Sequence, residues 1–133
     1  MKNSKTIAAI FVLLLCAFAA QAQVPSVPRV GIDPLNSQII SILDANASGL
    51  GLTSDQNSKL KANNKSFVSE LMSIAGGSRS EEFKKSSILS LKDNRMKFLS
   101  ELMGNDIAQK YLGKVVKGIN PLKPKLGLAA LAF

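Results

Sequence analysis

Between residues 34 and 117 the apolar residues recur every three or four positions, and glycines interrupt the pattern at 49/51, 76/77 and 104. That spacing gathers each apolar set on one face of a helix, and no stretch alternates at period two as a half-buried strand would. The sequence therefore predicts an all-α fold, a small bundle of about four amphipathic helices packed along their apolar stripes.

Local signals divide the run. Asp33 is a good cap for a first helix, with Pro34 at the first helical position where its missing N–H does no harm. Leu35, Ile39, Ile42 and Leu43 carry that helix to about residue 47, where Gly49 and Gly51 end it. Thr53-Ser54-Asp55-Gln56 fits a capping box, Thr53 at the cap and Gln56 reaching back. Leu60, Phe67, Leu71 and Ile74, widened by Val68 and Met72, form the second stripe, which Gly76-Gly77 stops near Ala75. Ser78-Arg79-Ser80-Glu81 offers another capping box for a helix over about 79–103. Its stripe runs Ile88, Leu91, Phe98 and Leu102, with Leu99 and Met103 beside it. Asp106 is expected to cap a last helix to about Lys117, with Ile107, Tyr111, Leu112, Val115 and Val116 on one face and Gly118 closing it. Pro121 and Pro124 forbid simple continuation. Acids stand four residues before lysines at Asp55–Lys59, Glu81–Lys85, Asp93–Lys97 and Asp106–Lys110, the favourable helical orientation.

The first 22 residues read as a cleavable signal peptide: Lys2 and Lys5 precede an apolar run from Ile7 to Ala20, and Ala20-Gln21-Ala22 supplies the small-x-small cleavage site. The apolar run is shorter than the about 20 residues a membrane span needs, so an uncleaved anchor is the lesser alternative. Leu13-Leu14-Leu15 before Cys16 does not suit a lipoprotein signal. The expected organisation is thus a signal peptide at 1–22, an extended Pro/Gly lead-in at 23–33, a helical domain at 34–118 and a Pro/Lys and apolar tail at 119–133. Residues 126–133 are too short to span a bilayer; packing on the bundle, fraying and membrane contact all remain open. The expected location is the periplasm or the extracellular space.

Cleavage after Ala22 removes the only cysteine, and the chain has no histidine. The 111 residues left make one domain held by packing without disulfides, and they carry a net charge of +6. Catalysis would have to rest on carboxylates, lysine, tyrosine or serine. Adjacent Glu81 and Glu82 point about 100° apart on a helix. Ser58-Lys59-Leu60-Lys61 is a bare S-x-x-K with no second motif, and Gly76-Gly77-Ser78 lacks the length and lysine of a phosphate loop. No cofactor or metal is expected, and the chain reads as a non-enzyme. Asn46-Ala47-Ser48 and Asn64-Lys65-Ser66 match glycosylation sequons, relevant only if the source glycosylates, and chance is the better explanation.

Binding features are few. Arg95 falls where the third stripe calls for an apolar residue. The simpler reading has its stem on the core and its head in water; the other is an interhelical contact to a carboxylate or backbone carbonyl. Lys110, Lys114 and Lys117 share the face of the last helix opposite its apolar stripe, and Lys123 and Lys125 follow, with no acid after Asp106. A solvated back is the simpler reading of these lysines, and an amphipathic basic segment touching anionic lipid or an acidic partner is the functional one. Arg95 and the five lysines form the candidate binding surface. Nucleic acid is not expected as a partner. Incomplete burial of the stripes would favour a homodimer, since each large residue contributes about 1.5–3 kcal/mol only when buried.

Leu52-Thr53-Ser54-Asp55-Gln56 carries L-T-x-x-Q at a helix start and resembles the Spy/CpxP-type periplasmic proteins, which typically carry that motif twice. The second copy usually follows an arginine-containing helix and leads toward a tyrosine. Here Arg95, Leu102-Met103-Gly104-Asn105-Asp106 and Gln109-Lys110-Tyr111 occupy that region, with Met103 in place of threonine and Gln109 three places late. The resemblance spans residues 50–111. It implies an all-helical, cradle-like dimer that binds unfolded or stress-exposed envelope proteins without ATP. Within the motif, Thr53 and Gln56 are better assigned to capping than to client binding. The leading expectation is an exported helical chaperone or stress accessory of this type. The alternative is an envelope- or membrane-associated module using the basic last helix, and a secreted effector is a third class.

Overall fold

The computed structural model describes residues 34–133, so the leader, the lead-in and the expected Asp33 cap lie outside the described residues. Residues 34–133 form an all-α bundle of four main helices: α1 (Pro34–Asn46), α2 (Ser54–Gly76), α3 (Glu81–Met103) and α4 (Asn105–Ile119). Each helix packs on its neighbours in sequence, and α1 also packs on α4, which closes the four into a ring. Among the described residues no helix is long and apolar enough to cross a membrane.

The core follows the stripes, with two changes of phase. Ile39 and Leu43 of α1, and Leu60, Phe67, Val68 and Leu71 of α2, are buried as the spacing predicts. On α3 the buried line is Ile88, Arg95, Leu99 and Met103, whereas Leu91, Phe98 and Leu102 flank it half-buried. The centre is rotated toward Leu99 because the innermost position is held by an arginine. On α4, Ala108, Tyr111, Val115 and Ile119 are innermost, with Ile107, Leu112 and Val116 at the margin.

The helix starts show which polar residues act as caps. Thr53 and Gln56 form the complete box: Gln56 N–H donates to Thr53 Oγ1 (3.2 Å) and Thr53 N–H to Gln56 Oε1 (2.9 Å). At α3 the cap is Ser80, which accepts from Phe83 N–H, and not Ser78. Starting there places Glu81 and Glu82 in the first turn, where they meet the positive end of the helix dipole. Asp106 does not cap α4, which starts at Asn105 with a single residue between it and the end of α3. The joint is Gly104 at φ +84°, a left-handed conformation that favours glycine, and it leaves no room for a separate capping residue. Asp106 sits in the first turn instead.

Gly118 does not close α4 but lies inside it. An added Cβ there would stand 2.7 Å from Ile42 Cγ2, so the glycine is the point where α4 crosses closely over α1. Beyond Ile119 the prolines do not end helical winding. They sit near the starts of two short turns, at Asn120–Leu122 and α5 (Lys123–Leu126), and a 3₁₀ segment follows at Gly127–Ala132. Proline is tolerated at such starts because the first N–H groups have no helical partner. The tail packs against α2 and α3 and belongs to the same compact unit as the helices. Leu126, Ala129 and Ala132 are buried at the three-residue spacing of a 3₁₀ helix, and the Phe133 ring stands edge-on to Phe67 at 5.7 Å. Of the four acid–lysine pairs, Asp55–Lys59 closes to 3.0 Å, and it is the one ion pair among the described residues.

Candidate functional site

All four main helices contribute to one buried polar centre. Asn64 lies four residues after Leu60 on the apolar face of α2, Arg95 four before Leu99 on α3, and Tyr111 four before Val115 on α4. Arg95 is 6% exposed, and Asn64 and Tyr111 are fully buried. Arg95 Nη2 donates to Asn64 Oδ1 at 2.7 Å and to the Tyr111 hydroxyl at 3.4 Å, while Nη1 donates to Asn63 Oδ1 at 2.9 Å. The Tyr111 hydroxyl donates to the Leu43 carbonyl of α1 (3.0 Å) and lies 3.3 Å from Asn64 Oδ1. Asn64 Nδ2 donates to Asp44 Oδ1 at 2.8 Å. The Phe67 ring lies against the group, with the guanidinium carbon 4.2 Å from its centroid.

The sequence expectation of an Arg95 head in water is therefore corrected. The stem does lie on the core, but the head is interhelical, and its acceptors are asparagine amides and a phenol in place of a carboxylate or carbonyl. A buried cation needs acceptors to offset its lost hydration, and polar neighbours on the facing stripes supply them. Arg95 consequently stands apart from the five lysines with which it was grouped. Asn64 and Tyr111 were missed as partners, although both occupy stripe positions. A polar residue on one stripe at the level of a polar residue on another is the signal that identifies them.

Burial lowers the Arg95 pKa, opposed by the nearby Tyr111 hydroxyl, yet an arginine stays charged under any ordinary condition. Burial also pushes the Tyr111 pKa above its ordinary value, opposed by the Arg95 charge. The bonds of Arg95 and Tyr111 join all four main helices through one charged and several neutral polar groups. Ser58 and Lys61 of the bare S-x-x-K are both exposed on α2. Asn64, fully buried with both amide atoms engaged, is inaccessible as a glycosylation site in the folded chain.

The lysines lie elsewhere. Lys110, Lys114 and Lys117 are exposed along the outside of α4 and line a groove of about 350 Å³ with Leu50 and Gly49 of the α1–α2 loop, Ile107, Gln109 and Gly113. No acid lines this groove. Lys125 is exposed and Lys123 half-exposed on the following turn, outside the groove lining. Among the described residues no three potential ligands gather as a metal site.

The L-T-x-x-Q residues are tied to the far end of α3. Beyond its place in the box, Gln56 Nε2 donates to the Leu102 carbonyl at 2.9 Å, across 46 residues of sequence. One glutamine thus satisfies the start of α2 and an end carbonyl of α3. Leu52 beside it is half-buried against the core. Comparison with known protein families, with curated proteins and with solved structures finds no match for this chain.

Proposed function

We propose that this is an exported, non-catalytic binding protein that docks on anionic surfaces of the cell envelope through the lysine face of α4. The observation that carries this reading is the groove holding Lys110, Lys114 and Lys117 without an acid in its lining. The apolar face of α4 is spent on the core, with Tyr111, Val115 and Ile119 all fully or almost fully buried. The helix therefore meets its partner by charge and does not insert an apolar face into lipid, which makes binding strongly dependent on salt. The leader pattern supports export, and the absence of histidine and of a mature thiol supports binding over chemistry. The test is co-sedimentation of the protein with phosphatidylglycerol vesicles across a salt series. Binding should weaken steadily with salt and be lost in the Lys110→Gln/Lys114→Gln/Lys117→Gln variant. Binding by the triple variant equal to that of the parent would refute the proposal.

A second reading, the Spy/CpxP-like chaperone or stress accessory, is favoured by two observations. Gln56 of the L-T-x-x-Q stretch bonds the carbonyl of Leu102, the first residue of the altered second copy. Phe83, Leu89 and Met96 leave apolar surface exposed on α3. Under this reading the clients are unfolded envelope proteins, and a homodimer forms the binding surface. Suppression of aggregation of a reduced client at a stoichiometric ratio is the assay, and failure at several-fold excess would end this reading.

A further inference from the structure

A second cleft, on the other side of α4 from the lysine groove, has the opposite balance of surfaces. It lies between α3, α4 and the C-terminal segment and has a volume of about 200 Å³. Met96, Val116, Ala132 and Phe133 are among its walls, and its only charged side chains are Lys92 and Arg95. These two are three positions apart on α3 and so share one face of the helix. We propose that this cleft binds a small apolar monocarboxylate, with an aromatic ring or short acyl chain against the walls and the carboxylate at the Lys92–Arg95 end.

Size, charge and hydrogen-bonding capacity each point to that class. An apolar cavity of about 150 Å³ accommodates a benzene ring, so this cleft suits one ring or a short chain and not a polymer. Arg95 is almost fully buried, yet every side chain it bonds is neutral, and Asp44 is reached only through Asn64. Of the five N–H donors of a guanidinium, the bonds to Asn63, Asn64 and Tyr111 use three. A bound carboxylate would balance a charge that the protein has moved out of water without an acid beside it. A charge-assisted bond of that kind is roughly twice as strong as a neutral one. A dianionic phosphate is more strongly hydrated and gains less from apolar walls. The inference does not depend on the lysine face of α4.

The experiment titrates the intact protein with 3-phenylpropanoate, with its uncharged amide as isostere and acetate as the head group alone. Methyl NMR shifts of Leu112, Val115 and Val116 locate the site. Fluorescence of Tyr111, the only tyrosine in a chain without tryptophan, reports on the arginine it bonds. The expected result is saturable shifts at those methyls, at least tenfold tighter binding of the acid than of the amide, and no saturation by acetate. Val116→Phe should fill the cleft and abolish binding, and Lys92→Gln, at the half-exposed rim, should weaken it several-fold with unchanged helicity. Equal affinity for acid and amide, shifts confined to the groove of Lys110 and Lys114, or no saturable shift at millimolar probe would each overturn the proposal.

Discussion

Replacing either partner of the shortest bond in the polar centre should give unequal losses, and the inequality tests whether the guanidinium is really buried. Arg95→Met keeps a stem of similar length and contact with the Phe67 ring, but removes three hydrogen bonds. Asn63 is half-exposed and can turn to water, and the Tyr111 hydroxyl keeps the Leu43 carbonyl. The main casualty is Asn64 Oδ1, left buried without its 2.7 Å donor, at a cost of about 1–3 kcal/mol. Part of that is offset because the guanidinium no longer has to be desolvated. Asn64→Leu does the reverse: the charge stays inside and loses its closest acceptor, a hydrogen bond to a charged group worth about 1.5–3 kcal/mol, with no desolvation relieved to offset it. For a domain of this size each kcal/mol moves Tm by about 4–8 °C, so Asn64→Leu should lower it by at least about 6 °C. The double variant removes the charge and the orphaned amide together, and should lose at least about 1 kcal/mol less than the two single losses added. Urea unfolding followed by circular dichroism gives all four corners of the cycle. Additive losses, or Arg95→Met as costly as Asn64→Leu, would refute the reasoning.

The single tyrosine gives a second check. Its folded pKa is raised by burial above the ordinary value of about 10. The stability linked to the neutral phenol is therefore complete below pH ~10 and lost as pH rises through the folded pKa. Tyrosinate absorbance should show a midpoint above the ordinary value that returns to it in denaturant, and Tyr111→Phe should remove this part of the alkaline loss. At the α1–α4 crossing, Gly118→Ala should destabilise by up to about 2 kcal/mol. Overpacking against Ile42 costs about 1–3 kcal/mol and outweighs the about 1 kcal/mol gained in helix propensity. Gly113→Ala, with nothing within 4 Å of an added Cβ, should instead stabilise by up to about 1 kcal/mol in the same thermal melts. Gln56→Glu keeps an acceptor for Thr53 N–H but loses the donor to Leu102, so it should cost about 1 kcal/mol. If Gln56→Glu melts with the parent, the bond between α2 and α3 contributes nothing.

What the sequence revealed was local. Leu60, Phe67, Val68 and Leu71 state their own burial through spacing, and Thr53 with Gln56 state their own cap, because both signals lie within one or two turns. Where a decision depended on distant chain it was lost. Nothing near Ser78 or Ser80 says which of the two caps α3; the choice follows from where α3 must begin to set Ile88 and Arg95 inward. Asp106 has the right chemistry for a cap, but Gly104 already turns the chain. Gly118 resembles a stop signal until Ile42, 76 residues earlier, is seen against it. The prolines after Ile119 are breakers only of a continuing α4, and Leu126, Ala129 and Ala132 keep the period of three of a 3₁₀ helix, which differs from the 3.6 of the main helices. The lysines of α4 were legible as a face, whereas the centre around Arg95 was not, because Asn64 and Arg95 each look like an isolated exception to a stripe and Tyr111 looks like an ordinary member of one.

The hydrogen bonds of that centre have a kinetic consequence. Tyr111 and Leu43 are separated by 68 residues, and Arg95 bonds side chains from two other helices. A hairpin of α2 and α3 can bring Arg95 to Asn63 and Asn64, but it leaves the arginine's other side without Tyr111 and the ring without α1. Partial assemblies therefore hold unsatisfied polar groups at their middle and gain little over the unfolded chain. Opening should be concerted, with amide protons in the inner turns of α1 and α4 exchanging through one shared event and not helix by helix.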